Sequence, residues 1–216
     1  RPKKNNVKNQ QLLKQKIERI SNPNSYSKVF ATHTLPKLNK NVGGQLIKDV
    51  FRRGKYIVLQ TEKGYLCIHL RMTGQLQESL DSFVADKHCS FAIHLNKGKT
   101  IYFKDYRKFG RLYYYSTLDT LNAKLGVEPF STEFSFVYVA GILKKSTGMI
   151  KPLLLNQKYI AGLGNIYVDE ALWLAKIHPK KKSNSISKTK VKVLTRSIPD
   201  ILKKAIDFNG TTIINF

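Results

Sequence analysis

Acidic residues are scarce in this chain, with 14 Asp plus Glu against 38 Lys plus Arg among 216 residues. Cysteine is nearly absent. Cys67 and Cys89 each sit in an apolar, strand-like context, so core packing is their expected role. They form no Cys-x-x-Cys pair, which leaves no sign of a disulfide framework or a four-ligand zinc site. No apolar run approaches the ~20 residues of a membrane span, and no stretch reads as a signal peptide. A reducing, intracellular location (cytoplasm, nucleoid or nucleus, not secreted) is therefore expected, with no membrane partner.

What is abundant is positive charge. The excess of +24 is spread along the whole chain rather than gathered in one tail. A folded protein this basic meets a polyanion, and nucleic acid is the commonest one. A Lys-rich surface from a biased genome is the plain alternative, and an anionic membrane surface a weaker third. The 42% of hydrophobic residues fits a folded protein, and the length suffices for one large or two small domains. The sequence opens on Arg1 without Met and closes on an apolar run at Phe216, so both ends read as cut.

Leu12, Leu13, Ile17 and Ile20 have the spacing of an amphipathic helix end, or of its run into a strand. After the turn signal Asn22-Pro23-Asn24-Ser25, short β-like runs follow: Leu46–Val50, Lys55–Gln60, Tyr65–Leu70, Ser90–Leu95, Thr100–Phe103 and Arg111–Tyr115. Beyond the linker-like Leu125-Gly126-Val127-Glu128-Pro129, helical periodicity takes over in Phe136–Leu143, Ile150–Leu155, Gly164–Ala175 and Lys188–Phe208. Ser187 is a candidate N-cap, and Gly210 lies just past the last helix. The pattern predicts an α+β chain, with a β-sandwich over residues 1–126 and a helical domain over 127–216.

The most informative segment runs from Asn156 to Glu170. A helix ends, Gly162 and Gly164 permit a tight turn, and a new helix begins near Asn165. Such a turn presents free N–H groups and a positive dipole end to a phosphate, and small residues let a DNA backbone come close. Asn165 adds a side-chain amide for the same phosphate. An ordinary helix-turn-helix connection fits the spacing equally well.

Asn156 to Glu170, followed by Ala175-Lys176-Ile177-His178-Pro179, closely resembles the helix–two-turn–helix signature of formamidopyrimidine-DNA glycosylases and their endonuclease VIII relatives. Other segments follow the same family in order. Arg52-Arg53-Gly54-Lys55-Tyr56 resembles its strand start, and His69-Leu70-Arg71-Met72-Thr73-Gly74 its His-Leu-Gly-Met-Ser-Gly loop. Asp105-Tyr106-Arg107-Lys108-Phe109-Gly110 is similar to its Asp-Pro-Arg-Arg-Phe-Gly loop, and Leu125–Pro129 to its interdomain linker. The resemblance implies a base-excision-repair glycosylase and AP lyase for oxidised purines (8-oxoguanine, formamidopyrimidine), acting on duplex DNA as a monomer. Its target nucleotide leaves the stack, and side chains fill the void. That role falls to Met72, Arg107 and Phe109: a flexible apolar chain, a donor to the orphaned base, and a wedge. The resemblance further implies catalytic support from Lys55, its ammonium directed at the lesion's phosphate or sugar, a phosphate contact for Lys158, a place near the DNA backbone for His88, a close-approach position for Gly164, and polar support from Glu128. Taken alone, Met72 and Phe109 read as core, and the lysines and His88 as ordinary surface or structural residues.

Three positions depart from the family pattern: Arg71 stands where Gly is usual, Tyr106 where Pro is usual, and Asn156 where Asp is common. Arg71 adds charge beside the Met72 loop, and Tyr106 is expected to loosen the Arg107 loop. The family's nucleophile is an N-terminal Pro amine followed by Glu. Pro2 follows Arg1, and Lys3 follows Pro2, so this pair is not expected within the sequence. The family's C-terminal finger, zinc-bearing or zincless, is also not reached, and no cofactor is expected in this chain. Two rival readings stand beside the enzyme: a non-catalytic binder of damaged or abasic DNA with the same fold, and a ribosomal or RNA-coating protein.

Overall fold

The computed structural model describes residues 12–80 and 83–208. Pro2, Lys3 and Gly210 lie outside the described residues. The chain divides into two compact units between Thr120 and Leu121, upstream of the 126/127 boundary read from the linker.

The first unit holds two four-stranded antiparallel sheets. Sheet one has the order β1 (Ile17–Ser21), β6 (Cys89–Leu95), β7 (Thr100–Asp105), β5 (Gly74–Ser79). Sheet two runs β2 (Ile47–Arg53), β3 (Tyr56–Thr61), β4 (Tyr65–His69), β8 (Arg111–Tyr115). Ile20, Phe91, Ile93 and Phe103 from sheet one and Leu59, Leu66, Ile68 and Leu112 from sheet two form one buried cluster. That shared core is what a β-sandwich requires. A short helix α1 (Leu35–Val42) buries Leu38 and Val42, and its Asn39 side chain bonds both the N–H and the carbonyl of Ile20.

Two elements, β5 and α1, were not expected from the sequence, whereas the expected run into a strand is seen at β1, where Ile17 and Ile20 are both buried although they lie three apart, as on a helix. A bulge between Ile17 and Arg19 shifts the pairing with β6, so an odd spacing still points both side chains inward. Strand β5, Gly-Gln-Leu-Gln-Glu-Ser, is an edge strand and carries few apolar residues to mark it. Helix α1 is short and has Pro36 in its first turn, which hides its periodicity.

The second unit contains α2 (Asp119–Asn122, straddling the boundary), α3 (Phe136–Lys144), α4 (Ile150–Leu155), α5 (Asn165–Leu174) and α6 (Lys188–Asp207). Its core gathers Val139, Leu143, Leu154, Ile160, Leu163, Val168, Leu172, Leu194 and Ile198. Ser187 caps α6 as expected, its hydroxyl accepting from the Lys190 N–H at 3.5 Å. The chain is therefore α+β, a β-sandwich followed by a helical domain. Among the described residues, no helix is long and apolar enough to cross a membrane, and no group of three or more His, Cys, Asp or Glu could hold a metal ion. Cys67 and Cys89 are both buried and unpaired.

Candidate nucleic-acid interface

Strand pairing alone places two loops side by side. One loop leaves β4 in sheet two and enters β5 in sheet one, while the other leaves β7 in sheet one and enters β8 in sheet two. At their bases Gly74 pairs with Asp105, and His69 pairs with Arg111. Both loops therefore cross between the sheets at the same end of the sandwich.

On these loops Met72, Arg107 and Phe109 come together. The Arg107 guanidinium places Nη1 3.2 Å from the Met72 sulfur and lies 4.7 Å from the centre of the Phe109 ring. Met72 is 74% exposed and Phe109 47%, which excludes the core-packing reading for both. A thioether is a weak acceptor, so Arg107 holds its place loosely and keeps donors for a stronger partner.

Asp105 fixes the pair of loops from beneath. It is fully buried, and its Oδ1 accepts from the Thr73 hydroxyl at 2.5 Å and the Arg107 N–H at 3.2 Å. Its Oδ2 accepts from the Gly110 N–H at 2.7 Å. One carboxylate thus binds both loops. The hinges press on a common floor: a Cβ on Gly74 or on Gly110 would lie within 2.5 Å of the Phe103 ring, which itself stacks on Phe91 at 5.1 Å. Lys108 has a left-handed backbone (φ 54°), held by the Tyr26 hydroxyl donating to its carbonyl at 2.7 Å.

Lys55 follows Gly54 in the two-residue turn between β2 and β3, where Arg53 pairs with Tyr56. Desolvation, and then the Arg71 charge, hold its ammonium below the ordinary lysine value. His69 is pushed down to about 4 by desolvation, Arg71 and Lys55 in that order. Its Nδ1 accepts from the Arg71 N–H at 3.1 Å, which fits a neutral ring. Tyr56 meets the His69 ring edge-on at 4.7 Å. His88 meets the Tyr106 ring at a tilt of 44°, centroids 4.3 Å apart, with the Lys104 ammonium 5.4 Å from the Tyr106 ring and paired with Asp86. Tyr106 thus lies against the His88 ring while remaining exposed.

In the second unit, α4 ends at Leu155 and two turns lead to α5. Gln157 ties the turns: its amide donates to the carbonyls of Leu155 and Leu163, each at 2.9 Å, and its oxygen accepts from the Gly162 N–H at 2.9 Å. Gly162 has φ +95°, a conformation that glycine alone adopts readily. Gly164 does not share that need. It is the N-cap of α5 in extended backbone (φ −124°), and its contribution is to bring no side chain over the helix end. Lys158 and Asn165 are both exposed at these turns. Gly126 donates to the Gln157 carbonyl at 2.8 Å, and a Cβ there would lie 2.2 Å from the Tyr159 oxygen. The linker glycine is thus a close-packing glycine beside the turns. The Glu128 carbonyl accepts from the Ser131 N–H at 3.0 Å.

Thr73, Asp105, His69 and Gln157 went unassigned in the sequence. A buried Asp before a turn and a Thr beside a glycine carry no distinctive signal until the strand pairing is known.

The chain matches two family models: the formamidopyrimidine-DNA glycosylase N-terminal domain over residues 5–112 and the formamidopyrimidine-DNA glycosylase H2TH domain over 125–216. It is 39% identical over 208 residues to the formamidopyrimidine-DNA glycosylase of Protochlamydia amoebophila, covering 96% of this chain and 75% of that protein. Among solved structures, it is similar to Lactococcus lactis formamidopyrimidine-DNA glycosylase bound non-covalently to DNA containing an AP site (TM-score 0.87, 36% identity, 95% of this chain and 80% of that one). It is also similar to MutM in complex with DNA containing carbocyclic 8-oxo-G (TM-score 0.88, 37% identity, 97% and 79%). With matches of this identity and coverage along both units, the chain belongs to the formamidopyrimidine-DNA glycosylase family.

Proposed function

We propose that this protein is a base-excision-repair DNA glycosylase and AP lyase acting on oxidised purines in duplex DNA, as a monomer inside the cell. The observation that carries the reading is the exposed contact cluster of Met72, Arg107 and Phe109 on two loops held by one buried carboxylate. When a nucleotide swings out of the duplex, Met72 enters the space it vacates and Phe109 wedges the neighbouring step. Arg107 exchanges the Met72 sulfur for the acceptors of the orphaned base, a stronger partner for a guanidinium.

Phosphates are gripped elsewhere. Lys55 stands at a hairpin tip, within reach of the Arg71 charge. Lys158 and Asn165 stand at the two turns and the start of α5, where helix N–H groups and the dipole favour an anion. His88, whose ring lies against Tyr106, stands beside the Arg107 loop as a further backbone contact. The chemistry that the family implies is attack of a proline amine on the sugar C1′, loss of the damaged base, and elimination from the resulting Schiff base. No residue of this sequence is assigned to that amine.

The test is the whole protein on duplex DNA carrying 8-oxoguanine opposite cytosine, with borohydride present. Excision and a trapped covalent adduct are expected. Absence of both overturns the enzyme reading. Tight binding to an abasic duplex without an adduct would then favour the non-catalytic binder.

A further inference from the structure

Arg71, Phe109 and Arg111 line one open hollow of about 260 Å³ at the end of the sandwich. Strand pairing explains why they share it: Arg111 lies opposite His69 across β4 and β8, and Arg71 follows two residues after His69. The Arg111 guanidinium is anchored, its Nη1 donating to the carbonyls of Gly110 at 2.7 Å and Lys108 at 3.0 Å. Nη2 and Nε therefore keep three N–H groups for another acceptor. Arg71 sits in left-handed backbone, φ 59°, which a residue with a Cβ tolerates poorly.

No carboxylate among the described residues lies within salt-bridge distance of either guanidinium. The Arg71 charge instead acts on the Lys55 ammonium, which it helps to push down. Two guanidiniums on one hollow without a carboxylate leave their donors unmatched and their charges uncompensated. A phosphate relieves both, because its oxygens suit the planar fork of arginine. Phe109 gives the hollow an apolar wall, which suits an anion carried on a sugar better than a fully hydrated ion.

We propose that Arg71 and Arg111 together bind a backbone phosphate of the duplex beside the step that Phe109 enters. The assignment of the ligand as DNA rests on the proposed function.

The test is equilibrium binding of the protein to a short duplex with a tetrahydrofuran abasic analogue, followed from about 50 to 200 mM salt. The double variant R71G/R111Q should lower the slope of log K against log salt by ~0.9, the share of one phosphate. The glycine also suits the backbone at position 71, so the fold is kept. The variant R71K/R111K should retain the slope while binding more weakly, since charge remains and the fork is lost. An unchanged slope in R71G/R111Q overturns the proposal. Inorganic phosphate at constant ionic strength should leave wild-type binding unaltered, and competition by it would replace the backbone assignment with a free anion. Should the wild type not prefer the abasic duplex over an intact one, the proposed function fails, while the slope difference on intact duplex still reports on this phosphate site.

Discussion

Replacing Thr73 by valine removes one hydroxyl and substitutes a methyl of nearly the same shape, so the perturbation is chemical rather than steric. The Asp105 carboxylate is fully buried, and among the described residues the Thr73 hydroxyl is the only side-chain donor to it; the Arg107 and Gly110 N–H groups remain after the change. A hydrogen bond to a charged acceptor contributes ~1.5–3 kcal/mol net. For a unit of this size, at ~4–8 °C per kcal/mol, that corresponds to a melting temperature lower by roughly 6 to 24 °C. The loss falls on the contact that ties the Met72 loop to the Arg107 loop. If all of it appears as disorder that DNA binding must reverse, affinity for an abasic duplex drops ~10- to ~100-fold. Thr73→Ser keeps the hydroxyl and should restore most of both. The measurements are urea unfolding and fluorescence-anisotropy titration of the three proteins in parallel. Wild-type affinity in Thr73→Val, or equal damage in Thr73→Ser, would refute the view that Asp105 holds the two loops as one body.

Gly162→Ala forces a side chain into φ +95° and should cost more than ~1 kcal/mol and weaken duplex binding, measured by thermal melting and titration. Gly164→Ala, in extended backbone, should keep the melting temperature while its methyl crowds the α5 end, so binding alone falls. Because His69 titrates near 4 when folded against an ordinary 6.5, the unfolded chain binds a proton first as pH drops. Stability should therefore be flat above pH 6.5 and fall towards pH 4, by at most ~1.4 kcal/mol per unit and less where solvent screens the ring. Removal of that slope in His69→Gln, followed by denaturant titration across this window, is the check. Burial raises the Cys67 thiol to about 12 and, with the Asp86 charge added, the Cys89 thiol to about 11. Neither should react with a thiol reagent at pH 8 until denaturant is added; prompt modification of the native protein would contradict their placement.

Helices α3 to α6 were the most legible part of the sequence, because each carries its apolar residues at regular spacing and α6 also announces its own cap. The sandwich was legible as a class but not strand by strand. A bulge let Ile17 and Ile20 imitate a helix, and the polar edge strand β5 offered no alternation to read. For the site, family resemblance gave Met72, Arg107 and Phe109 as residues but could not bring them into contact. Their meeting depends on Gly74 pairing with Asp105 and His69 with Arg111, which are long-range events. The same limit applies to the glycines of the two turns. Residue type suggested equal roles for Gly162 and Gly164, whereas only the first needs a backbone that other residues avoid.

The shared floor beneath the two loops constrains any attempt to re-engineer them. Since Gly74 and Gly110 both press on the Phe103 ring, while Thr73 and Gly110 both bond one carboxylate, transplanting one loop from a homologue would bring in a hinge fitted to a different ring position. Grafts between relatives should succeed only when residues 70–74, 103 and 105–110 travel as a set, so altered lesion preference in this scaffold is to be sought by exchanging that whole cassette.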